Sequence, residues 1–162
     1  MAQSAVLHRV GREGLGLYVA KHTTKDTVLG RYDGNAVAHY DTREEALESR
    51  EAARLVRRGV DKIIALRARD GGPGYDVIDG SAAAHRPPCI PLVNDRRGSR
   101  LMPNCHISEH GYLKVTRSSM PAFNLNATIE DNVDSELRTE YGDLFWKLVD
   151  AVGTREVPLE CD

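Results

Sequence analysis

The segment SELRTEYGDLFW, residues 135–146, places an acid on each side of a Tyr-Gly pair and then two large aromatic side chains. The chain has 6 Tyr, 2 Phe and 1 Trp in 162 residues, so a third of its rings fall in this one segment. Its local pattern reads as strand, turn, strand over ATIEDNVDSELRTEYG (127–142), with a short closing helix in DLFWKLVDAV (143–152) before a polar tail. Local pattern alone does not explain why the rings gather there.

Upstream, AAAHRPPCIPLVNDRRGSRLMPNC (82–105) reads as loop, because Pro87, Pro88, Pro91 and Pro103 oppose long regular elements; GYLKVTR (111–117) after it reads as a strand. KIIALRA (62–68) and YDVID (75–79) read as strands around the turn RDGGPG. Thr42 with Glu45 three residues later is a capping-box pattern, and Ala46, Ala53, Val56 and Val60 form an apolar stripe with Gly59 near its end. These features predict one helix over 42–58, whose charged side is a solvated surface. The first forty residues alternate short β-type runs, AVLHRV, LYVAK and TVLGRY, with the glycine cluster GREGLG and the turn DGN. The whole reads as a mostly-β domain with an inserted helix and a proline-rich loop, without internal repeats or low-complexity segments.

The composition, 41% hydrophobic, suits one domain with a real core. Lys and Arg total 22 against 24 Asp and Glu, a net charge of -2, so neither nucleic acid nor membrane is implied as a partner. No apolar run approaches the roughly 18 residues that span a bilayer, and MAQSAVLHRV has no signal-peptide core, which leads to the expectation of an intracellular protein. Cys89, Cys105 and Cys161 are odd in number and widely spaced, which opposes a disulfide framework and a four-thiolate zinc site; three ordinary thiols is the plainer reading.

Four stretches taken in order resemble the SET domain of protein lysine methyltransferases. They are GREGLGLYVAK (11–21), similar to the family's opening glycine motif; YDVIDG (75–80), in the place of its strand before the cofactor loop; IPLVNDRRGSRLMPNC (90–105), like its asparagine loop and Pro-Asn-Cys; and SELRTEYGDLFW, like its Glu-Leu followed by acid-Tyr-Gly. The resemblance implies a mostly-β (α+β) SET-like fold of short antiparallel sheets with an inserted helix and a C-terminal pseudoknot-like threading, an exception to the usual avoidance of threaded loops. It implies one domain over 1–162, with a core at about 8–40 and 74–146, a helical insert at about 41–73 and a tail at 147–162.

The resemblance also implies a S-adenosylmethionine-dependent protein lysine N-methyltransferase. Its cofactor would meet Glu13, Gly14, Leu15, Gly16, Asn94, Asp95 and Trp146; Tyr141 would be catalytic, Thr139 and Phe145 would line the substrate lysine, and no metal is expected. The chemistry suits these residue types. A glycine turn at 14–16 lets backbone approach a ligand, although an ordinary hairpin turn fits the same residues. The spacing GxxGxG is neither a dinucleotide nor a Walker motif. The carboxamide of Asn94 can satisfy polar cofactor atoms. A tyrosine hydroxyl can orient an amine for in-line displacement without a strong base, while a lone tyrosine also serves as core packing. Trp146 can stack on a flat base or anchor the core, and Phe145 likewise.

This chain departs from the family at three places: Asp95 stands where histidine is usual, DRRGSRLM lengthens the loop, and Thr139 replaces an aromatic residue that tunes how many methyl groups fit. Arg96, Arg97 and Arg100 read as a solvated basic loop, with contact to an acidic partner as the alternative, and His85 as a surface histidine. After Cys105 only Cys161 remains, so the family's zinc module is absent. The partners implied are a peptide or protein lysine, a histone tail foremost, with a nuclear location if the substrate is histone; assembly as a homodimer is compatible. A SET-like binding module without catalysis is the alternative reading.

Overall fold

Leu17, Tyr18 and Val19 are all buried, a run covered on both sides rather than an alternating one, and they lie in the second strand of an opening hairpin. β1 (Val6–Gly11) and β2 (Gly14–Val19) pair antiparallel, Val6 opposite Val19 and Gly11 opposite Gly14. The computed structural model describes residues 5–11, 14–86, 88–95 and 101–153. After the hairpin come β3 (Thr23–Thr24), β4 (Val28–Arg31) and β5 (Asn35–Tyr40), the helices α1 (Arg43–Leu47) and α2 (Arg50–Arg57), then β6 (Ile63–Arg67) and β7 (Tyr75–Asp79). Two 3-10 turns, Ala83–His85 and Ile90–Leu92, precede β8 (Asn94–Asp95). β9 (Cys105–Ile107), β10 (Tyr112–Val115) and β11 (Ser119–Met120) follow, and a third 3-10 turn, Glu130–Ser135, leads to β12 (Arg138–Thr139) and α3 (Asp143–Gly153).

The chain forms two compact units interleaved in sequence, one from residues up to Tyr32 with Ala83–Glu140, the other from Asp33–Ala82 with the residues from Tyr141 on. In the first unit the sheets are small: β1–β2, β4–β10–β9 and β11–β3 are antiparallel, and β12–β8 is parallel. β10 alternates, with Leu113 and Val115 buried and Tyr112 and Lys114 exposed, as a strand with one wet face should. At Gly30 in β4 a Cβ would come within 2.9 Å of Ile90 Cδ1 and Pro88 Cγ, so a glycine there allows the proline-rich stretch to lie on the sheet. That stretch was expected as loop; its residues Ile90, Leu92 and Val93 are buried core, because proline fits the short 3-10 turn that carries them.

The second unit packs helices on the sheet β5–β7–β6. Cross-strand rows Ala38–Val77–Ala65 and Tyr40–Tyr75–Arg67 set its register. Ala46, Leu47 and Ala52 cluster with Ile63, Ala65 and Val77, and Leu148 of α3 packs against the same cluster.

The single helix predicted over 42–58 is two helices. Thr42 caps α1, its hydroxyl accepting the Glu45 N–H at 3.1 Å. Ser49, extended at ψ 161°, then starts a new helix by accepting the Ala52 N–H at 3.2 Å while donating to the Ala46 carbonyl at 2.7 Å. The expected strand at the start of 127–142 is likewise a 3-10 turn. Buried Asn132 holds it there: its Oδ1 accepts from Asn124 N–H at 2.7 Å, and its Nδ2 donates to the carbonyls of Asn124 at 3.0 Å and Thr128 at 2.8 Å.

Candidate active site

A two-residue strand such as β12 has no stability of its own, so its neighbours must hold it. On one flank Leu137 N–H donates to the Leu17 carbonyl at 2.8 Å, and Tyr18 and Glu136 form an antiparallel bridge. On the other, Arg138 pairs with Asn94 and Thr139 with Asp95 in parallel register. Asn104 completes the clasp. Its Oδ1 accepts the Arg138 N–H at 2.8 Å, its Nδ2 donates to the Glu136 carbonyl at 2.7 Å, and its own N–H donates to the Arg138 carbonyl at 2.9 Å. Residues 136–139 are therefore bonded at both ends of the loop that runs from Asn94 to Asn104, which is the contact pattern the threading expectation calls for.

The clasp has a buried charge at its centre. Arg138, 7% exposed at the side chain, donates from Nη2 to the Val133 carbonyl at 3.0 Å and to Glu136 Oε2 at 3.3 Å. A guanidinium withdrawn from water needs such a carboxylate and carbonyl set, so the end of the 3-10 turn is tied to β12. The result places two candidate residues side by side: Thr139, 1% exposed, opposite Asp95, 8% exposed. Asn94 supplies the backbone of the same short strand.

Gly14, Leu15 and Gly16 open β2, paired with Gly11, Val10 and Arg9. They belong to a strand rather than to the expected turn, and Glu13 lies outside the described residues, as do Arg96, Arg97, Arg100 and Cys161. His85 is exposed in its 3-10 turn. Burial pushes the Cys105 thiol up to about 12, and it also raises Cys89, which begins the Ile90–Leu92 turn in the left-handed region at φ 58°. Both therefore stay protonated thiols at neutral pH.

The remaining candidates belong to the second unit. Gly142, at φ 91°, turns the chain into α3, and Trp146 N–H donates to the Gly142 carbonyl at 3.4 Å. That turn and the first helical turn bring the rings together. Tyr141 meets Phe145 edge-on at 4.9 Å and stacks with Trp146 at 6.0 Å, and Phe145 meets Trp146 edge-on at 5.1 Å. Phe145 is buried, whereas Tyr141 and Trp146 are half-buried. The rings of the opening segment are thus a mutual cluster at the start of a helix.

Two residues of the clasp had no assigned role in the sequence reading, Asn104 and Arg138. An asparagine directly after a proline in a loop was the available signal, since a carboxamide can stand in for a peptide group and pair with a strand.

No protein-family model and no curated protein sequence matches the chain. Solved structures do. CpSET8 from Cryptosporidium superposes with a TM-score of 0.53 at 22% identity, over 87% of this chain and 59% of that one. The methyltransferase domain of human PR domain-containing protein 2 gives 0.46 at 13%, over 87% and 79%. Chaetomium thermophilum Polycomb Repressive Complex 2, in an autoinhibited conformation bound to S-adenosylmethionine, gives 0.47 at 20%, over 93% of this chain and 17% of that one. This chain thus spans well under two thirds of the CpSET8 chain. Small antiparallel sheets, a parallel β8–β12 pair and superposition on CpSET8 lead to one conclusion: this chain has a SET-like fold.

Proposed function

We propose that the chain is a S-adenosylmethionine-dependent protein lysine N-methyltransferase acting on a histone or another basic protein tail. The observation that carries this reading is the β12 clasp within a SET fold: it sets Thr139 against Asp95 in the first unit and leads within two residues to Tyr141.

The residues suit the ligand. Gly14 and Gly16 offer strand backbone without a Cβ, and Asp95 is a buried acid, a residue type that suits a cationic ligand. S-adenosylmethionine supplies an electrophilic methyl group on a sulfonium. In the first unit Gly14, Leu15, Gly16, Asn94 and Asp95 would hold it. Tyr141 would accept or donate a hydrogen bond to the target amine and align it for in-line attack. Thr139 would bound the lysine side chain. A histone substrate places the work of the protein in the nucleus. A peptide-binding module without catalysis is the second reading, favoured by the carboxylate of Asp95 where the family has histidine.

One assay separates them. With tritiated S-adenosylmethionine and basic peptides, the wild type is expected to transfer label to lysine, and Tyr141→Phe to lose transfer by about a hundredfold or more while keeping its circular dichroism spectrum. Cofactor binding without transfer in the wild type would favour the module.

A further inference from the structure

Asn104 makes four hydrogen bonds to three residues, two with Arg138 and one each with Glu136 and Thr116. Its Oδ1 takes the Arg138 N–H at 2.8 Å, its Nδ2 gives to the Glu136 carbonyl at 2.7 Å, its N–H gives to the Arg138 carbonyl at 2.9 Å, and its carbonyl takes the Thr116 N–H at 2.9 Å. The residue is 4% exposed, so water cannot replace any of these partners. The asparagine acts as a one-residue strand on the flank of Arg138, while β8 pairs with Arg138 and Thr139.

We infer that Asn104 is a positioning residue for both the cofactor and the lysine sides of the methyl-transfer site, acting through the register of β12 on β8. The inference rests on the proposed activity. Its physical basis is that Asn94 and Asp95 form a two-residue strand paired with Arg138 and Thr139, and such a short pair has no register of its own. The carboxamide supplies what the ladder lacks. It satisfies the Arg138 N–H and the Glu136 carbonyl at once, with the spacing of a peptide group, and a slip of β12 by one residue would leave both buried groups unpaired. Arg138 cannot take over this task, since its guanidinium is committed to Val133 and Glu136.

Truncation to alanine removes both side-chain bonds and leaves the backbone pair of residue 104 in place. A loss of fold alone lowers the number of competent molecules, but it does not alter the affinity of those that remain or the ratio of their products. Positioning alters both. Calorimetric titration of S-adenosylmethionine into wild type and Asn104→Ala, with mass spectra of a methylated peptide, therefore separates the two. The expected result is a dissociation constant raised by about tenfold in Asn104→Ala, together with a changed ratio of mono-, di- and trimethyl lysine. A reduced binding stoichiometry with unchanged affinity and product ratio overturns the inference. A wild type that binds no S-adenosylmethionine overturns the activity itself, and the inference falls with it. Should Asn104→Ala fail to fold, amide hydrogen exchange on the wild type decides: the ligand is expected to slow exchange at 104 and 136–139 together with 94–95, and unchanged exchange at 104 and 136–139 overturns the inference.

Discussion

At Thr139 the clasped strand offers one hydroxyl and one methyl group to surroundings that leave it 1% exposed. A phenylalanine there must displace close-packed neighbours, and overpacking of this kind costs about 1–3 kcal/mol. Thr139→Phe is therefore expected to lower the melting temperature and, on the proposed activity, to shift products toward monomethyl lysine. Scanning calorimetry and peptide mass spectra read the two effects separately; wild-type melting would reveal unfilled space beside the residue. His39 presents a different balance. Its Nδ1 lies 2.8 Å from Asp76 Oδ1, and that hydrogen bond, aided by the charges of Asp76, Asp70 and Asp41 against some desolvation, raises its pKa above the ordinary histidine value. A group whose folded pKa is raised stabilises the fold while it is protonated. The contribution is complete below about pH 6.5, the unfolded value, and is lost as pH rises through the folded value. The melting-temperature difference between wild type and His39→Gln is thus expected to be largest on the acid side and to vanish at alkaline pH. A difference independent of pH would mean that the ring and Asp76 are not coupled.

Ser49 ends one helix and starts the next. Its hydroxyl accepts from Ala52 N–H and donates to the Ala46 carbonyl in a buried position, so Ser49→Ala removes the cap of α2 and one of the hydrogen bonds to the Ala46 carbonyl, which keeps the backbone N–H of Ser49 at 3.4 Å. We expect a loss of about 1–2 kcal/mol in urea denaturation; an unchanged midpoint would show that α2 needs no cap. The same serine explains what periodicity could and could not reveal. The Thr42 capping box, the apolar stripe and Gly59 located the helical region, but a serine within a charged run is also compatible with an unbroken helix, and only its extended backbone shows the restart. YDVID was legible to the residue as β7, and DLFWKLVDAV to within one residue as α3, because alternation and helical spacing are local properties. The stretch 82–105 hid its role. Its prolines correctly opposed long elements, yet the burial of Ile90, Leu92 and Val93 depends on Gly30 far upstream, which no local window contains.

At the scale of the molecule, the order of the motifs carried the fold where composition stopped at a mostly-β domain. The candidate residues divide between the two units: Gly14, Leu15, Gly16, Asn94, Asp95 and Thr139 lie in one, and Tyr141, Phe145 and Trp146 in the other. No periodicity announces a unit assembled from separate stretches, and the parallel pairing of β8 with β12 was not legible from either segment, since each is too short to carry a pattern. Motif order conveyed it indirectly. The bond from Leu137 to Leu17 has a consequence for biosynthesis. The strand that seals the free edge of the opening hairpin is made more than a hundred residues after it. Until then the nascent chain carries an unsatisfied β edge, a surface prone to mispairing, and closure must bring together segments distant in sequence. Folding of the first unit is therefore paced by the arrival of residues 136–139.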